Sequence, residues 1–430
     1  MMPSYVDTYY TRTLSPDAAY PALSGKQAAE ICIVGGGLAG LTTGLELARR
    51  GRSVAVLEAR RVAWGASGRN GGFVSPGWAA RAGQVLRRVG PDHAKALFRL
   101  SMEGVTMVED AIRDLNISDA NVSPGILRVS RYENTRSLET LRDEQEREFG
   151  RHLRLLVREE VQALLLSKKY HQALLDEASF HFHPLNYSRA LAREIVRLGG
   201  CVYEDSPAVQ ADLRGQEHIV RTPSGEVKAA TVVLAGGGYT DSIFPAMRRS
   251  FLPIATYVVL SELAPDLIAS AIRTRAGVSD GRRAGDYYRV VDGRLLWGGR
   301  ITTRTSGPRD IAAVIRREIV TTYPQLEALK IETAWSGLMA YARHLMPLIG
   351  PLMPNVWSCT GFGGHGLNTT AIGARVVAEA IAGEGDRHRL FAPFGFVWNG
   401  GPFGTAAAQL TYWAYQGMDF LRERRSALAA

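Results

Sequence analysis

Cysteine is scarce in this chain. Its 430 residues include three, Cys32, Cys201 and Cys359. They lie far apart, and none belongs to a C-x-x-C pair or a His/Cys cluster. A disulfide framework and a metal centre both lack the residues they need. Cys32 and Cys359 sit in apolar strand-like runs and read as small buried thiols. Long hydrophobic runs are also missing. No apolar stretch approaches the roughly 20 residues that cross a bilayer. The first residues, MMPSYVDTYYTRTL, lack the apolar centre of a secretory signal. A reducing cytoplasm is the expected location. Charge blocks are absent as well. The 51 Lys and Arg outnumber the 42 Asp and Glu, giving a net +9, but the arginines are scattered. No dense basic run has interleaved aromatics, so a solvated basic surface is expected and a nucleic-acid partner is not.

Glycine, in contrast, is plentiful and collects where strands end. Ile31 to Val34 reads as a short buried strand. Gly35, Gly37 and Gly40 follow in the spacing G-x-G-x-x-G. Leu38, Leu41, Leu45 and Leu47 keep a helical apolar face, and Gly51 ends it. A second strand, Val54 to Leu57, runs into Glu58. Each part has a physical role in holding a dinucleotide. Gly35 permits the tight turn, Gly37 lets a pyrophosphate reach the backbone, and Gly40 lets the helix pack on the sheet. The free N–H groups at the helix start favour phosphate charge. Glu58, about 20 residues on, suits the ribose hydroxyls and would repel a 2′-phosphate.

The rest of the chain repeats this punctuation. Gly65-Ala66-Ser67-Gly68-Arg69-Asn70-Gly71-Gly72 suits neither helix nor strand and can lay bare backbone against a flat ligand. Residues 81–115 and 134–166 carry helical patterns. Thr231 to Ala235 is another buried strand, closed by Gly236, Gly237 and Gly238. Residues 251–335 alternate as an antiparallel sheet. Tyr287, Tyr288 and Trp297 are expected on its inner face. Val356 to Thr360 then leads into Gly361-Phe362-Gly363-Gly364-His365-Gly366-Leu367-Asn368-Thr369 and a helix over about 370–382, with Asn368 or Thr369 as its cap. A docked helix over about 405–425 ends the chain. Residues 1–28 read as an irregular arm carrying Tyr5, Tyr9 and Tyr10. Three glycine exits, at 35, 236 and 361, suit a ligand larger than NAD.

On IVGGGLAG, Glu58, GASGRNGG, TVVLAGGG and GFGGHGLNTT, the chain resembles the D-amino-acid oxidase superfamily of flavoproteins. The GASGRNGG stretch, HPLN at 183–186 and YYR with RLLWGG at 287–299 look most like γ-glutamylputrescine oxidases. The resemblance implies an α/β FAD-binding Rossmann-like domain with an inserted α+β substrate domain built on an antiparallel sheet, the D-amino-acid oxidase / glutathione reductase-like arrangement. The FAD domain is expected over 1–90, 180–245 and 336–430, and the substrate domain over 91–179 and 246–335. Gly35, Gly37, Leu38, Ala39 and Gly40 would hold FAD, with Glu58, Ala59 and Arg60 at the adenosine ribose and Val209 near the adenine. Gly65, Ala66, Ser67, Arg69, Asn70, Gly71 and Gly72 would contact the ring and ribityl parts, together with Ala235, Gly236, Gly237, Phe362, Gly363, Gly364, His365, Gly366, Leu367 and Asn368.

The implied reaction is oxidation of the C–N bond of a primary or secondary amine, γ-glutamylputrescine-like or an amino acid. Hydride passes from the substrate carbon to flavin N5, and the imine then hydrolyses. His365, His344, Arg300, Tyr257 and Tyr288 are the candidate catalytic residues, with Arg300 or Arg69 on a substrate carboxylate. Some relatives attach flavin through a cysteine on the segment here written Trp335-Ser336-Gly337-Leu338-Met339, or through a histidine where Asn70 stands. Noncovalent FAD is therefore expected. Sarcosine oxidases carry a lysine that assists O2, and the matching Leu295-Leu296-Trp297 has none. The acceptor stays open between O2 and a quinone. Two other readings stay open: a dehydrogenase of a cyclic imino acid or N-methyl amino acid feeding a quinone, and a noncatalytic or RNA-associated flavoprotein.

Overall fold

The computed structural model describes residues 5–16, 18–240, 243–303 and 310–429, with side chains described through 426. Strand Gly25–Val34 is the spine of the first sheet. Its second half is apolar on both sides, as a strand covered on both faces must be. Gly225–Leu234 and Val54–Leu57 pair with it in parallel on either side. Cys201–Tyr203 and Val356–Thr360 extend the parallel set outward. Leu348–Met353 closes one edge antiparallel, and Gln210–Asp212 with His218–Arg221 forms an antiparallel flap. The carboxyl ends of the parallel strands therefore share one rim, where open α/β sheets take their ligands.

Two helices fix that rim. Leu38–Arg49 is buried from Leu38 to Ala48, on every face. Gly366–Ala382 packs against it and against Pro91–Asp114. A side chain at Gly44 would meet Ile195, Val56 and Ile33 within 3.4 Å, so its bareness brings the first helix close to the sheet.

The second sheet runs in the order Ile331–Ala342, Phe251–Ser261, Arg294–Thr302, Tyr287–Val291, Gly277–Asp280, Ser123–Val129, Ala173–His181 and Phe73–Val74. Within the second sheet, only the pairing of Gly277–Asp280 with Ser123–Val129 is parallel among the described strands. Its far face buries Tyr170, Tyr257, Tyr288, Trp297 and Tyr323 beneath helix Ile311–Thr322.

Some elements differ from the sequence reading. The helix expected over 81–115 breaks at Gly90, whose φ of 81° permits the turn before Pro91. The one expected over 134–166 is two helices, Thr135–Phe149 and Arg158–Leu164, with strand Arg154–Leu156 between them. Gly150 at φ 65° ends the first. Helix Gly366–Ala382 starts earlier than expected. Neither Asn368 nor Thr369 caps it: the Asn368 amide donates to the Ser101 carbonyl, and the Thr369 hydroxyl donates to that of His365. The final helix is longer, Gly401–Ala429. The N-terminal arm is not irregular throughout. Tyr9 and Tyr10 are buried in a short helix, Tyr9–Arg12.

Candidate functional site

The glycine exits meet at the rim. Gly35 has φ 114°, and a side chain there would sit 2.8 Å from the Ala235 carbonyl, so the exits at 35 and 235–236 touch through bare backbone. The Glu58 carboxylate closes the other side, accepting from the N–H of Gly36 (2.8 Å) and of Arg60 (3.0 Å). Ser67 joins the next loop to this one, its Oγ accepting from the Leu38 N–H at 3.0 Å.

Loop 65–72 is braced by its own side chains. The Arg69 guanidinium lies 4.2 Å over Trp64 and donates to the carbonyls of Trp64, Gly65 and Ser336. Trp335 Nε1 donates to the Arg69 carbonyl at 2.9 Å. Asn70 Nδ2 donates to Ala66 and Ser67, and its Oδ1 accepts from Gly72 N–H. Tyr287 stands against the loop, with a Gly71 side chain excluded by its ring at 2.5 Å, and Phe73 meets Tyr287 edge-on at 5.7 Å.

The last glycine loop faces the same space. Gly363 N–H donates to Ala340 at 2.9 Å. The Tyr341 ring would block a side chain at Gly363 or Gly364. His365 donates from Nε2 to the Ser75 carbonyl at 2.9 Å, and burial pushes its pKa below the ordinary histidine value. The helix that follows, Gly366–Ala382, aims its N-terminus at this space.

Residues 30–380 match the family described as DAO, FAD dependent oxidoreductase. The chain belongs to that family of FAD-dependent oxidoreductases. It is 33% identical over 91% of its length to the gamma-glutamylputrescine oxidoreductase of Escherichia coli, and covers 92% of that protein. It is 32% identical to a probable oxidoreductase of Haemophilus influenzae, covering 90% of each chain. Among solved structures, the glycine oxidase of Bacillus cereus superposes with a TM-score of 0.70 over 84% of this chain and 97% of its own, at 21% identity. The L-amino acid deaminase of Proteus vulgaris gives 0.71 over 91% and 99%, at 19% identity. Those two likenesses show the fold. The chain is an FAD-dependent amine or amino-acid oxidoreductase.

The rim fits FAD. A side chain at Gly36 would strike Glu58 at 2.7 Å, and one at Gly37 would strike Ser67 Oγ at 2.9 Å. One at Gly40 would overlap the Gly35 carbonyl oxygen. The rim thus presents bare backbone at the start of helix Leu38–Arg49, where a pyrophosphate is held. Glu58 would accept from ribose hydroxyls there. Burial pushes its carboxyl up to about 7, against the two N–H donors that favour ionisation. Ribose hydroxyls donate to the ionised form, so FAD affinity should weaken as pH falls through that value. Between about pH 7.5 and 5.5 the dissociation constant for the apoprotein is expected to rise by about tenfold. Glu58→Gln should flatten the profile, which flavin fluorescence titration measures.

Other sequence candidates lie elsewhere. Tyr288 stacks on Trp297 at 4.1 Å and 4°, and its hydroxyl meets those of Tyr170 (3.0 Å) and Tyr323 (2.6 Å). Alternation turns Tyr287 toward the loops and its neighbour Tyr288 away, so the shared inner face expected for Tyr287, Tyr288 and Trp297 does not form. Tyr257 belongs to the same far core. Arg300 pairs with Glu318, and Arg69 is taken up by carbonyls. His344 accepts from Met346 N–H and contacts the Gly395 carbonyl, facing Phe394. Val209 is 58% exposed on the first sheet's flap, its N–H on Arg221. Arg60 lies 4.2 Å over Trp64.

The sequence reading missed Arg289 and Tyr10. Buried Arg289 donates to His181 Nδ1 (2.8 Å), the Tyr10 hydroxyl (2.9 Å) and the Phe182 carbonyl (3.0 Å). Tyr10 in turn donates to the Asn70 carbonyl at 2.6 Å. The N-terminal arm thus holds loop 65–72. An arginine must donate, so His181 Nδ1 accepts, and Nε2 donates to the Arg275 carbonyl at 2.9 Å. Burial, then Arg289, depresses His181 to about 3 and His183 to about 4. A histidine depressed in the folded state costs stability as pH falls below its unfolded pKa of about 6.5, until the folded value is reached. From about pH 7 to 4.5, His181 alone is expected to remove about 2 to 3 kcal/mol, read by urea denaturation across pH. His181→Asn should shrink that loss.

Proposed function

We propose that this enzyme oxidises the C–N bond of a γ-glutamylputrescine-like amine, with the first sheet as the FAD unit and the second as the substrate unit. The likeness to the Escherichia coli protein suggests the substrate class. The observation that carries the reading is the neutral, aromatic wall facing the glycine loops. Burial pushes Tyr341 up to about 12 and Tyr287 higher, while it keeps His365 neutral. Exclusion of water by such a wall costs an ammonium its hydration and so favours the neutral amine, which is the reactive form. FAD, when bound, accepts the hydride from the carbon beside that nitrogen. Tyr287 and Tyr341 orient the C–H, Phe73 helps exclude water, and His365 positions the last loop through Ser75. The imine released hydrolyses in water.

The deciding experiment is anaerobic bleaching of the holoenzyme by γ-glutamylputrescine, putrescine, glycine, sarcosine and proline. Fastest bleaching by the γ-glutamyl amine is expected; bleaching by the α-amino acids alone overturns the substrate assignment. No lysine stands on Arg294–Thr302, which favours a quinone over O2 as acceptor. Stopped-flow reoxidation by each compares them. Strand Ile331–Ala342 holds no cysteine, so acid precipitation should release all the flavin to the supernatant.

A further inference from the structure

Helix Gly401–Ala429 is mounted with its polar side inward. Gln409 accepts from Thr303 N–H (3.1 Å) and the Thr302 hydroxyl (3.0 Å), and the Tyr412 hydroxyl accepts from Ile301 N–H (3.1 Å). Asp419 accepts from the N–H groups of Arg283 and Ala284, both at 3.0 Å. Glu423 pairs with Arg282 at 3.3 Å, and Ser426 accepts from Glu133 N–H. These positions are three, seven, four and three residues apart, all whole turns of a helix to within a residue, so they form one stripe.

The opposite stripe is apolar and faces away from the protein. Phe403 is 83% exposed, Leu410 61%, Trp413 54%, Phe420 63% and Leu421 53%. Trp398, just before the helix, is 62% exposed. Residues 401–418 contain no charged side chain at all. From Phe403 to Leu421 this ridge is about 27 Å long, at 1.5 Å per residue. Exposed Arg424 and Arg425 then end it, with Arg422 beside them over Tyr132.

A ridge this apolar needs a covering surface. Its charge argues against a second copy of itself. In an antiparallel pair, each arginine end would meet the positive N-terminal end of the other helix; in a parallel pair, arginines would meet arginines. The helix's two acids, Asp419 and Glu423, are engaged inward and cannot compensate. Aromatic residues along an exposed, charge-free ridge with a cationic end match a bilayer interface that carries anionic headgroups. No helix among the described residues is long and apolar enough to cross a membrane.

We propose that the outward stripe of the C-terminal helix, Phe403, Leu410, Trp413, Phe420 and Leu421 with Arg424 and Arg425, docks this enzyme in the plane of an anionic membrane surface. The proposal does not depend on the substrate or the acceptor. Flotation tests it, using full-length holoenzyme and vesicles of phosphatidylcholine with or without about one-third phosphatidylglycerol. The enzyme should float with the anionic vesicles and detach as salt is raised. Leu410→Glu with Trp413→Glu should cut binding by about tenfold or more while leaving flavin content and amine oxidation unchanged. Arg424→Ser with Arg425→Ser should cut binding to anionic vesicles alone. Two results overturn the proposal. One is wild-type enzyme that stays unbound in both preparations. The other is a wild-type dimer in sedimentation that Leu410→Glu with Trp413→Glu dissociates, which assigns the ridge to a second copy.

Discussion

Gly40→Ala is expected to yield a colourless protein that does not take up FAD. The added methyl would overlap the Gly35 carbonyl oxygen and lie 3.2 Å from Ile33 Cγ2. Neither neighbour can yield. Gly35 continues the spine strand, which is paired in parallel on both sides. The helix that carries Gly40 is buried on every face. The strain can be relieved only by lifting the helix start from the strand, and that start is where the pyrophosphate would be held. A loss of at least about 100-fold in FAD affinity, some 2.7 kcal/mol, is expected. Visible absorbance after reconstitution measures it. Gly51→Ala is the control. Gly51 has φ 74° with open space around it, so that change costs about 1 kcal/mol of strain and leaves the site intact. Full flavin in the Gly40→Ala protein would show that close packing here does not serve the cofactor.

This contrast also explains what could be read beforehand. The G-x-G-x-x-G turn, Glu58 and the loop at 361–368 are local: spacing, turn residues and one helix start determine them. Their meeting at one rim follows from parallel pairing, which the buried runs at 31–34 and 231–235 announce. Long-range facts stayed hidden. Nothing local shows that Tyr10 reaches Asn70, sixty residues away. The face of strand Tyr287–Val291 was open to inspection, because a period of two places Tyr287 and Arg289 together and Tyr288 opposite. Two buried faces defeat the usual reading, since an arginine in such a strand suggests solvent. Likewise the final helix shows an amphipathic pattern, yet pattern alone does not tell that the polar stripe is the one that docks.

Arg289→Met is the second large effect. The side chain is almost fully buried, at 3% exposure, and its fork serves three acceptors on two segments: Tyr10 of the arm, and the adjacent His181 and Phe182. Methionine fills much of the volume but leaves those acceptors without a donor, at a cost of at least about 3 kcal/mol near pH 7.5. Lysine does not restore it, because a single ammonium cannot span the fork. The Tyr10 hydroxyl then loses the donor that anchors the arm, and with it its fixed position under Asn70. Flavin affinity should fall along with stability. A merely packing role predicts the same deficit at every pH, and here the two accounts part. After burial, the Arg289 charge depresses the pKa of both His181 and His183. Without it their folded values move back toward about 6.5, so acid destabilises the variant less than the wild type. The stability gap between the two proteins should therefore be widest near pH 7.5 and narrow toward pH 5, as read from paired urea titrations. A gap independent of pH would separate the arginine's hydrogen bonds from its charge and leave the histidines neutral through burial alone.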